Sequence, residues 1–416
     1  MRLILALFGL FLSGSLFAQI KEDYVRDLIT ELASDAYLGR ASGTPQSDKA
    51  AAYIAGQFSK AGLKTLPGSQ DFLQRFQMVR SRTLAVQAEL DGKRIDTLDI
   101  LVLADEAALV WETGIVETTW IEKGGQLGQR IFGATKGNKV IFADTSFRRQ
   151  LLRMRNFGMQ RMGGNGSIVV VLTPQKPTQF KIKANSALVS RGYQNVVGMI
   201  EGKRKDEYVV FSGHYDHLGV GKPIDGDSIY NGANDDASGT TAVMTLAGHY
   251  AKMKKQPERT LLFVAFTAEE TGGYGSTFFS NSLPPEKVVA MFNIEMIGTE
   301  SKWGKNSAYI TGYERSDFGK ILQENLEGSA FQFHPDPYPQ QNLFFRSDNA
   351  TLARLGVPAH TISTSKMDSE KYYHTVNDEV ETLDLNNMTE IIKAIAISSQ
   401  SIVNGKRTPT RVNLGQ

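Results

Sequence analysis

Residues 209–239 read VVFSGHYDHLGVGKPIDGDSIYNGANDDASG. Val209, Val210 and Phe211 form a short apolar run that ends at Ser212-Gly213 and delivers His214 and Asp216 into a polar stretch. Further on, Asp235 and Asp236 stand in front of Ser238-Gly239. An imidazole and carboxylates on loops that follow a buried strand are the components of a metal site at the edge of a sheet. Two residues apart on an extended loop, His214 and Asp216 can point the same way, one binding metal while the other braces it. A lone His-x-Asp is equally a structural pair, and an aspartate before a helix is most often its cap. Asp236 is read as such a structural neighbour. The two oxygens of Asp235 could instead bridge two metal ions, which in hydrolytic sites lie about 3.5–4 Å apart.

The flanking chain decides what kind of sheet this is. VVGMI (196–200), YVVFSG (208–213) and TLLFVAFTA (260–268) are β-branched and aromatic runs without strict alternation, as in strands buried on both faces. Between them residues 239–250 read as a helix with Val243, Leu246 and Ala247 inward. Such alternation predicts an α/β fold with a mixed, mostly parallel central sheet and helices on both faces. Its ligand site belongs beyond the carboxyl ends of the strands, where His214 and Glu269-Glu270 fall. Before this region, residues 22–40 read as one helix with Tyr24, Leu28, Ile29, Leu32 and Ala33 on its inner face. After the turn Ser42-Gly43-Thr44-Pro45, a second helix buries Ala50, Ala51, Ile54, Ala55 and Phe58 and stops at Gly62. Arg40, at the junction, is read as a helix-end or ion-pair residue. At the far end, Asp384 caps a last helix running through Ala396 and Ile402.

From 86 to 189 the pattern changes. Short β-like runs (100–103, 139–143, 167–172) surround a helical stretch over 148–159, whose Arg148, Arg149, Arg153 and Arg155 read as a solvated face. This predicts a small inserted α/β or β-rich module at 86–189, with the main domain formed by 19–85 and 190–416. Residues 1–18 carry Arg2, an apolar run from Leu3 to Leu12 and small residues up to Ala18. They read as a signal peptide and predict an exported chain, periplasmic or secreted. The run is short of the roughly twenty residues of a membrane span, so no stable membrane insertion is expected once it is removed. The 46 basic and 44 acidic residues leave a net charge of +2 with no basic run, which gives nucleic-acid binding no support. With no cysteine, a metal must be held by His, Asp and Glu, which suits zinc, manganese or a similar ion.

Three later segments extend the pattern. Glu269-Glu270 closes an apolar strand, and adjacent carboxylates there repel unless a cation sits beside them. One could bind metal while the other acts as general base, and Gly272-Gly273 lets the backbone turn sharply behind them. Glu295, in MFNIEMIG, costs several kcal/mol if buried and ionised without a partner. His374, in YYHTVND, is ambiguous alone.

Together, GHYDHLG, NGANDDASG, FTAEETGGYGS, NIEMIG, RSDNATLARLGVP and YYHTVNDEVETLD resemble the co-catalytic zinc aminopeptidase family, which includes bacterial leucyl-type aminopeptidases, glutamate carboxypeptidase and transferrin-receptor-like proteins. LASDAYLGRASGTPQSDKAAAYIAGQFSKAGL is similar to that family's opening helices, and the insertion distantly resembles a protease-associated domain. The resemblance covers about residues 20–75 and 190–400. It implies a zinc-exopeptidase, phosphorylase/hydrolase-like fold and two zinc ions (other divalent metals being possible) sharing Asp235. One ion would be held by His214 and Glu295, the other by Glu270 and His374. Glu269 is implied as general base and Asp216 as the brace on the far nitrogen of His214. A metal-bridging hydroxide would attack the scissile carbonyl of a peptide substrate.

Three positions depart from the family pattern. Glu295 stands where many relatives have aspartate. Phe344 and Phe345 occupy the neighbourhood of an oxyanion-steadying tyrosine, leaving that role to Tyr338 or a metal. Asn349 replaces a histidine common after Ser-Asp. The leading expectation is an exported aminopeptidase. The alternatives are a carboxypeptidase or dipeptidase on the same centre, with Arg346 the candidate to hold a substrate carboxylate; a non-catalytic binding protein on this fold; and a single-zinc cyclase of amino-terminal glutamine.

Overall fold

The computed structural model describes residues 20–132, 136–157 and 160–414. The expected signal peptide at 1–18 lies outside them. The chain divides into two compact units, Met1–Gln74 with Gln194–Gln416, and Arg75–Tyr193. Both boundaries fall inside long strands, Leu73–Leu90 and Phe180–Ile200, and the expected limits of the insertion, 86 and 189, lie within the same two strands.

The larger unit is built on strands β1 (Phe180–Ile200, of which 194–200 belong here), β2 (Arg204–His214), β3 (Arg259–Phe266), β4 (Val288–Ile294), β5 (Ser307–Ile310), β6 (Gln332–Pro335) and β7 (Ala359–Ser363). Their order is β6-β5-β7-β4-β2-β3-β1. The β3-β2-β4-β7 run is parallel, as is β5 with β6, while β1 and β5 join it antiparallel. The helices are α1 (Glu22–Leu32), α2 (Pro45–Ala61), α3 (Ser238–Ala251), α4 (Tyr274–Ser280), α5 (Phe318–Glu324), α6 (Asn349–Ala353) and α7 (Leu385–Ser398). This is the mixed α/β architecture expected from the sequence.

The continuous apolar strands divide their side chains between two cores. Val209 and Phe211 of β2, Leu261 and Phe263 of β3 and Phe292 of β4 pack with α1, α2, α3, α5 and α7. Val210, Leu262, Val264 and Met291 pack on the other face with Phe279 of α4 and Leu352 and Ala353 of α6. Phe211 pairs in register with both Phe263 and Phe292, its ring stacked on theirs at 5.5 and 4.9 Å. A one-residue slip of β2 would move Phe211 to the opposite face, so this trio fixes the register and with it the position of His214. Removing such a ring costs about 3–5 kcal/mol.

The first helix differs from its reading. It ends at Leu32; Val25 is buried in place of Tyr24, which is exposed. Residues 35–40 form a separate 3-10 turn because Leu38, Gly39 and Arg40 have positive φ, incompatible with a continued helix. Gly39 is required there, since a Cβ would lie 2.4 Å from the Tyr230 carbonyl oxygen. The second helix has its expected limits, Thr44 capping the amide of Ser47 and Gly62 closing the end at φ +80°, although Ala55 is only half-buried. Asp384 caps α7 through the amide of Asn387, but α7 ends at Ser398, and Ile402 lies in a separate short helix, Gln400–Val403.

In the smaller unit, Ile100–Leu103, Ile168–Leu172, Lys139–Ala143 and Glu117–Ile121 form a four-stranded sheet in that order. Helix Arg148–Phe157 buries Leu151, Arg148 pairs with Asp99, and Arg155 donates to the Thr97 carbonyl. The arginine run is therefore partly structural. The strands Glu117–Ile121 and Ala108–Glu112, and the extent of the two long strands, were not anticipated. Their mix of polar and apolar residues matches half-exposed strands, antiparallel in all but Glu117–Ile121, which carry a weaker signal than buried runs.

Candidate metal centre

Three adjacent parallel strands end on one edge and deliver the expected residues. His214 is the last residue of β2, Glu269-Glu270 follows β3 after Thr267-Ala268, and Glu295 follows β4 directly. Asp235 and Asp236 arrive on the loop before α3, and His374 on the loop after β7. Gly239, in the first turn of α3, admits this approach because a Cβ there would lie 2.1 Å from the Ile294 carbonyl and 2.4 Å from Asp236 Oδ2.

Asp235 is the meeting point. His214 Nε2 lies 3.3 Å from its Oδ1, and His374 Nε2 lies 3.2 Å from its Oδ2 and 3.1 Å from Glu270 Oε2. Two ligands held at about 2.0–2.1 Å on one tetrahedral zinc stand about 3.3–3.4 Å apart. These separations match such ligand-to-ligand edges on each side of Asp235. His214 Nε2, His374 Nε2, Glu270 Oε1 and Glu295 Oε2 are buried without a hydrogen-bond partner among the described residues. Buried polar atoms are almost always satisfied, and here the orphans converge on one point. The residues fit divalent metal on both sides of Asp235.

Several groups hold this arrangement in place. Asp236 accepts the amides of His214 at 3.1 Å, Gly239 at 2.9 Å and Met296 at 3.0 Å, so it caps α3 and ties β2, α3 and the end of β4 together. The His214 Nδ1 contact is to the Asp216 backbone carbonyl at 3.1 Å, while the Asp216 carboxylate is 3.7 Å away. That carboxylate instead accepts Ser42 Oγ at 2.8 Å and the Glu269 amide at 3.1 Å, orienting the general-base candidate. Arg40 is wholly buried and donates to the carbonyls of Leu32, Tyr215, Asn231 and Gly232. It closes the end of α1 and clamps the two loops that carry Asp216 and Asp235, the helix-end duty read from its position.

Two contributors were not singled out in the sequence although both lie inside quoted motifs. His217, fully buried, has Nδ1 2.7 Å from Glu270 Oε1 and 3.9 Å from Asp235 Oδ2, so it too could join a metal with Asp235 and Glu270. His374 Nε2 stands 3.1–3.2 Å from both carboxylates, and both ring nitrogens of His217 are buried without a hydrogen-bond partner among the described residues, so both histidines are placed to reach a metal beside Glu270. Asp378 accepts the amides of Asn234 at 2.8 Å and Asp235 at 3.0 Å, fixing the backbone of the shared carboxylate. The His-x-x-His of 214–217 and the acid shortly after His374 were the available signals.

Electrostatics separate the acids. Burial pushes the Glu269 carboxyl well above its usual range, against the opposing pull of His214. Burial likewise raises Glu295, to about 7, and Asp348, to about 6. Burial alone would raise Asp235 and Glu270 too. The facing imidazoles, His214 and His374 beside Asp235 and His217 and His374 beside Glu270, outweigh it and hold both acids below the usual range. Burial lowers His374, but Asp235 and Glu270 overcome this and lift it to about 10.

A cleft opens on Asp235, Glu269 and Glu295, and its walls include Tyr309, Arg346 and Tyr373. Tyr338 donates to Asp368 at 3.3 Å, and Phe344 is buried against His360. Asn349 serves the scaffold, bonding the carbonyls of Phe344 and Ala359 and the hydroxyl of Thr361.

Parallel strands ending at a cluster of buried acids and histidines beside a cleft define the class, and the sequence comparison agrees. Residues 195–398 match the model of peptidase family M28. A probable zinc metalloprotease of Leptosphaeria maculans is 37% identical over 110 residues, 26% of this chain and 25% of that protein. The aminopeptidase YwaD of Bacillus subtilis is 24% identical over 262 residues, 58% of this chain and 51% of its own. The chain thus spans about a quarter to a half of these curated relatives. An aminopeptidase from Aneurinibacillus sp. strain AM-1 shares the fold, with TM-score 0.56 at 15% identity over 96% of this chain and 97% of that one.

Proposed function

We propose that this chain is an exported two-zinc aminopeptidase that removes amino-terminal residues from peptides. The observation that carries the proposal is the convergence of unpartnered buried ligand atoms on both oxygens of Asp235, with Glu269 lining the adjoining cleft. His214, Asp235 and Glu295 would hold one zinc and Glu270, Asp235 and His374 the other, while residues 86–189 form an inserted module. Among the described residues no helix is long and apolar enough to cross a membrane. When bound, zinc supplies Lewis acidity that activates water and polarises the scissile carbonyl. Glu269 takes the proton of the attacking water and passes it to the leaving amine. Asp216, through the Glu269 amide, keeps that carboxylate facing the cleft.

The test combines metal analysis with turnover. Purified protein should carry close to two zinc ions, and chelation should abolish hydrolysis of aminoacyl anilides. Glu269→Gln should retain the metal and lose about 10²–10⁴-fold in kcat. Absence of bound metal together with no cleavage in added zinc would leave a binding protein on this fold. A mixed-peptide digest read by mass spectrometry separates trimming at the amino terminus from trimming at the carboxyl terminus.

A further inference from the structure

The cleft beside Glu269 and Glu295 holds one cation that the mechanism does not use. Its neutral walls include Met296, Tyr309, Thr311, Leu343, Ser363 and Met367. Arg346 lines the same cleft and is exposed. Among the described residues its guanidinium has no carboxylate at ion-pair distance, and its one side-chain hydrogen bond is a long one, 3.4 Å to Gln341 Oε1. Nearby arginines are engaged: Arg315 lies over the rings of Phe344 and Phe345, and Arg354 over Phe345.

The backbone beneath Arg346 is fixed, so this free cation is presented from a rigid base. Its amide donates to the Leu343 carbonyl at 3.1 Å, and Phe344 is buried with its carbonyl held by Asn349 at 3.0 Å. The next residue, Ser347, accepts Asn293 Nδ2 at 2.7 Å and so is tied to β4, two residues before Glu295. A planar guanidinium on a fixed base, free of internal acids and facing a substrate cleft, is suited to bidentate capture of a carboxylate.

We infer that Arg346 reads a carboxylate on the leaving side of the scissile bond, so that the preferred substrates are short peptides bearing a negative charge one residue beyond the bond cut. This rests on the peptidase reading above. Arg346 shares this cleft with Glu269 and Glu295, and the residue next to the scissile bond lies only about 3.8 Å along the substrate chain. The carboxylate can come from the free carboxyl terminus of a dipeptide or from an Asp or Glu side chain at the second position; both offer the same planar anion.

Four substrates separate these cases: Ala-Ala, Ala-Ala amide, Ala-Glu amide and Ala-Gln amide, assayed with the zinc-loaded protein. The expected result is about a tenfold higher kcat/KM for Ala-Ala than for its amide, carried by KM. A matching preference for Ala-Glu amide over Ala-Gln amide assigns side-chain recognition; its absence assigns the free carboxyl terminus. Arg346→Ala should bring the acid-to-amide ratio close to one, and Arg346→Lys should restore part of it. Equal rates for charged and neutral peptides, or a ratio that survives Arg346→Ala, overturns the inference while leaving the peptidase intact. Failure to cleave all four, and a neutral aminoacyl anilide as well, overturns the peptidase reading and this inference with it.

Discussion

The two sides of Asp235 are built differently. His214 and Glu295 come from the ends of β2 and β4, neighbouring parallel strands whose register is set by stacked phenylalanines, and the His214 side chain is 1% exposed. Opposite them, Glu270 follows β3, but His374 comes from a loop at φ +58° and its side chain is 33% exposed. One side is fixed by the folding of the sheet, and the other is completed by a loop at the surface. A centre built this way has a closed half, where the core shuts in His214, and an open half, where His374 meets solvent, while the substrate cleft opens on Asp235, Glu269 and Glu295.

The carboxylate common to both halves should give the largest effect. Asp235→Asn removes the charge that both imidazoles face, so zinc content and kcat/KM should both fall beyond the roughly 10–100-fold typical of losing a supporting residue. Retention of both metals in that variant, measured by elemental analysis, would remove Asp235 from the shared position. The next test sets the halves against each other. His374→Ala and His214→Ala should each lose most activity, but free imidazole should recover part of it only in His374→Ala, whose vacated space opens to solvent. Equal rescue of both variants would erase the distinction between closed and open halves. Asp378→Asn should come below these, at about 10–100-fold weaker metal retention, because it disturbs two amides rather than a ligand.

The same contrast explains what could be read in the sequence. VVFSGH, LLFVAFTAEE and MFNIE each join an apolar strand to an acid or histidine, so the sheet and its strand-end ligands stood out together. His374 lies in a loop with no apolar run to mark its depth, and only the family resemblance gave it a role. His217 was passed over because one histidine already explained its motif; its contact with Glu270 depends on where the chain after β3 returns. Arg40 was placed at a helix end, yet its grip on the carbonyls of Tyr215, Asn231 and Gly232 joins segments far apart in sequence. The break between α1 and the 35–40 turn was hidden because Leu38 and Arg40, ordinary helix residues, adopt positive φ there.

The smallest predicted effect separates the halves by pH in chelated protein. Glu295 titrates near 7 when folded, against an ordinary value of 4.5, because burial disfavours its charge. Between those values the folded form holds a proton that the unfolded chain has released, so stability should decline as pH rises through that window. His374 titrates near 10 against 6.5, its acidic neighbours outweighing burial. Its contribution is complete below 6.5 and is lost as pH climbs towards 10, a loss damped by solvent at this open position. The melting temperature in chelator should therefore fall in two stages, each on the order of 2–4 °C or less. Glu295→Gln should remove the lower stage and His374→Ala the upper one. Zinc should flatten both, since a bound cation stabilises the ionised carboxylate and the neutral imidazole. A single stage abolished equally by either substitution would mean that the two halves titrate as one unit.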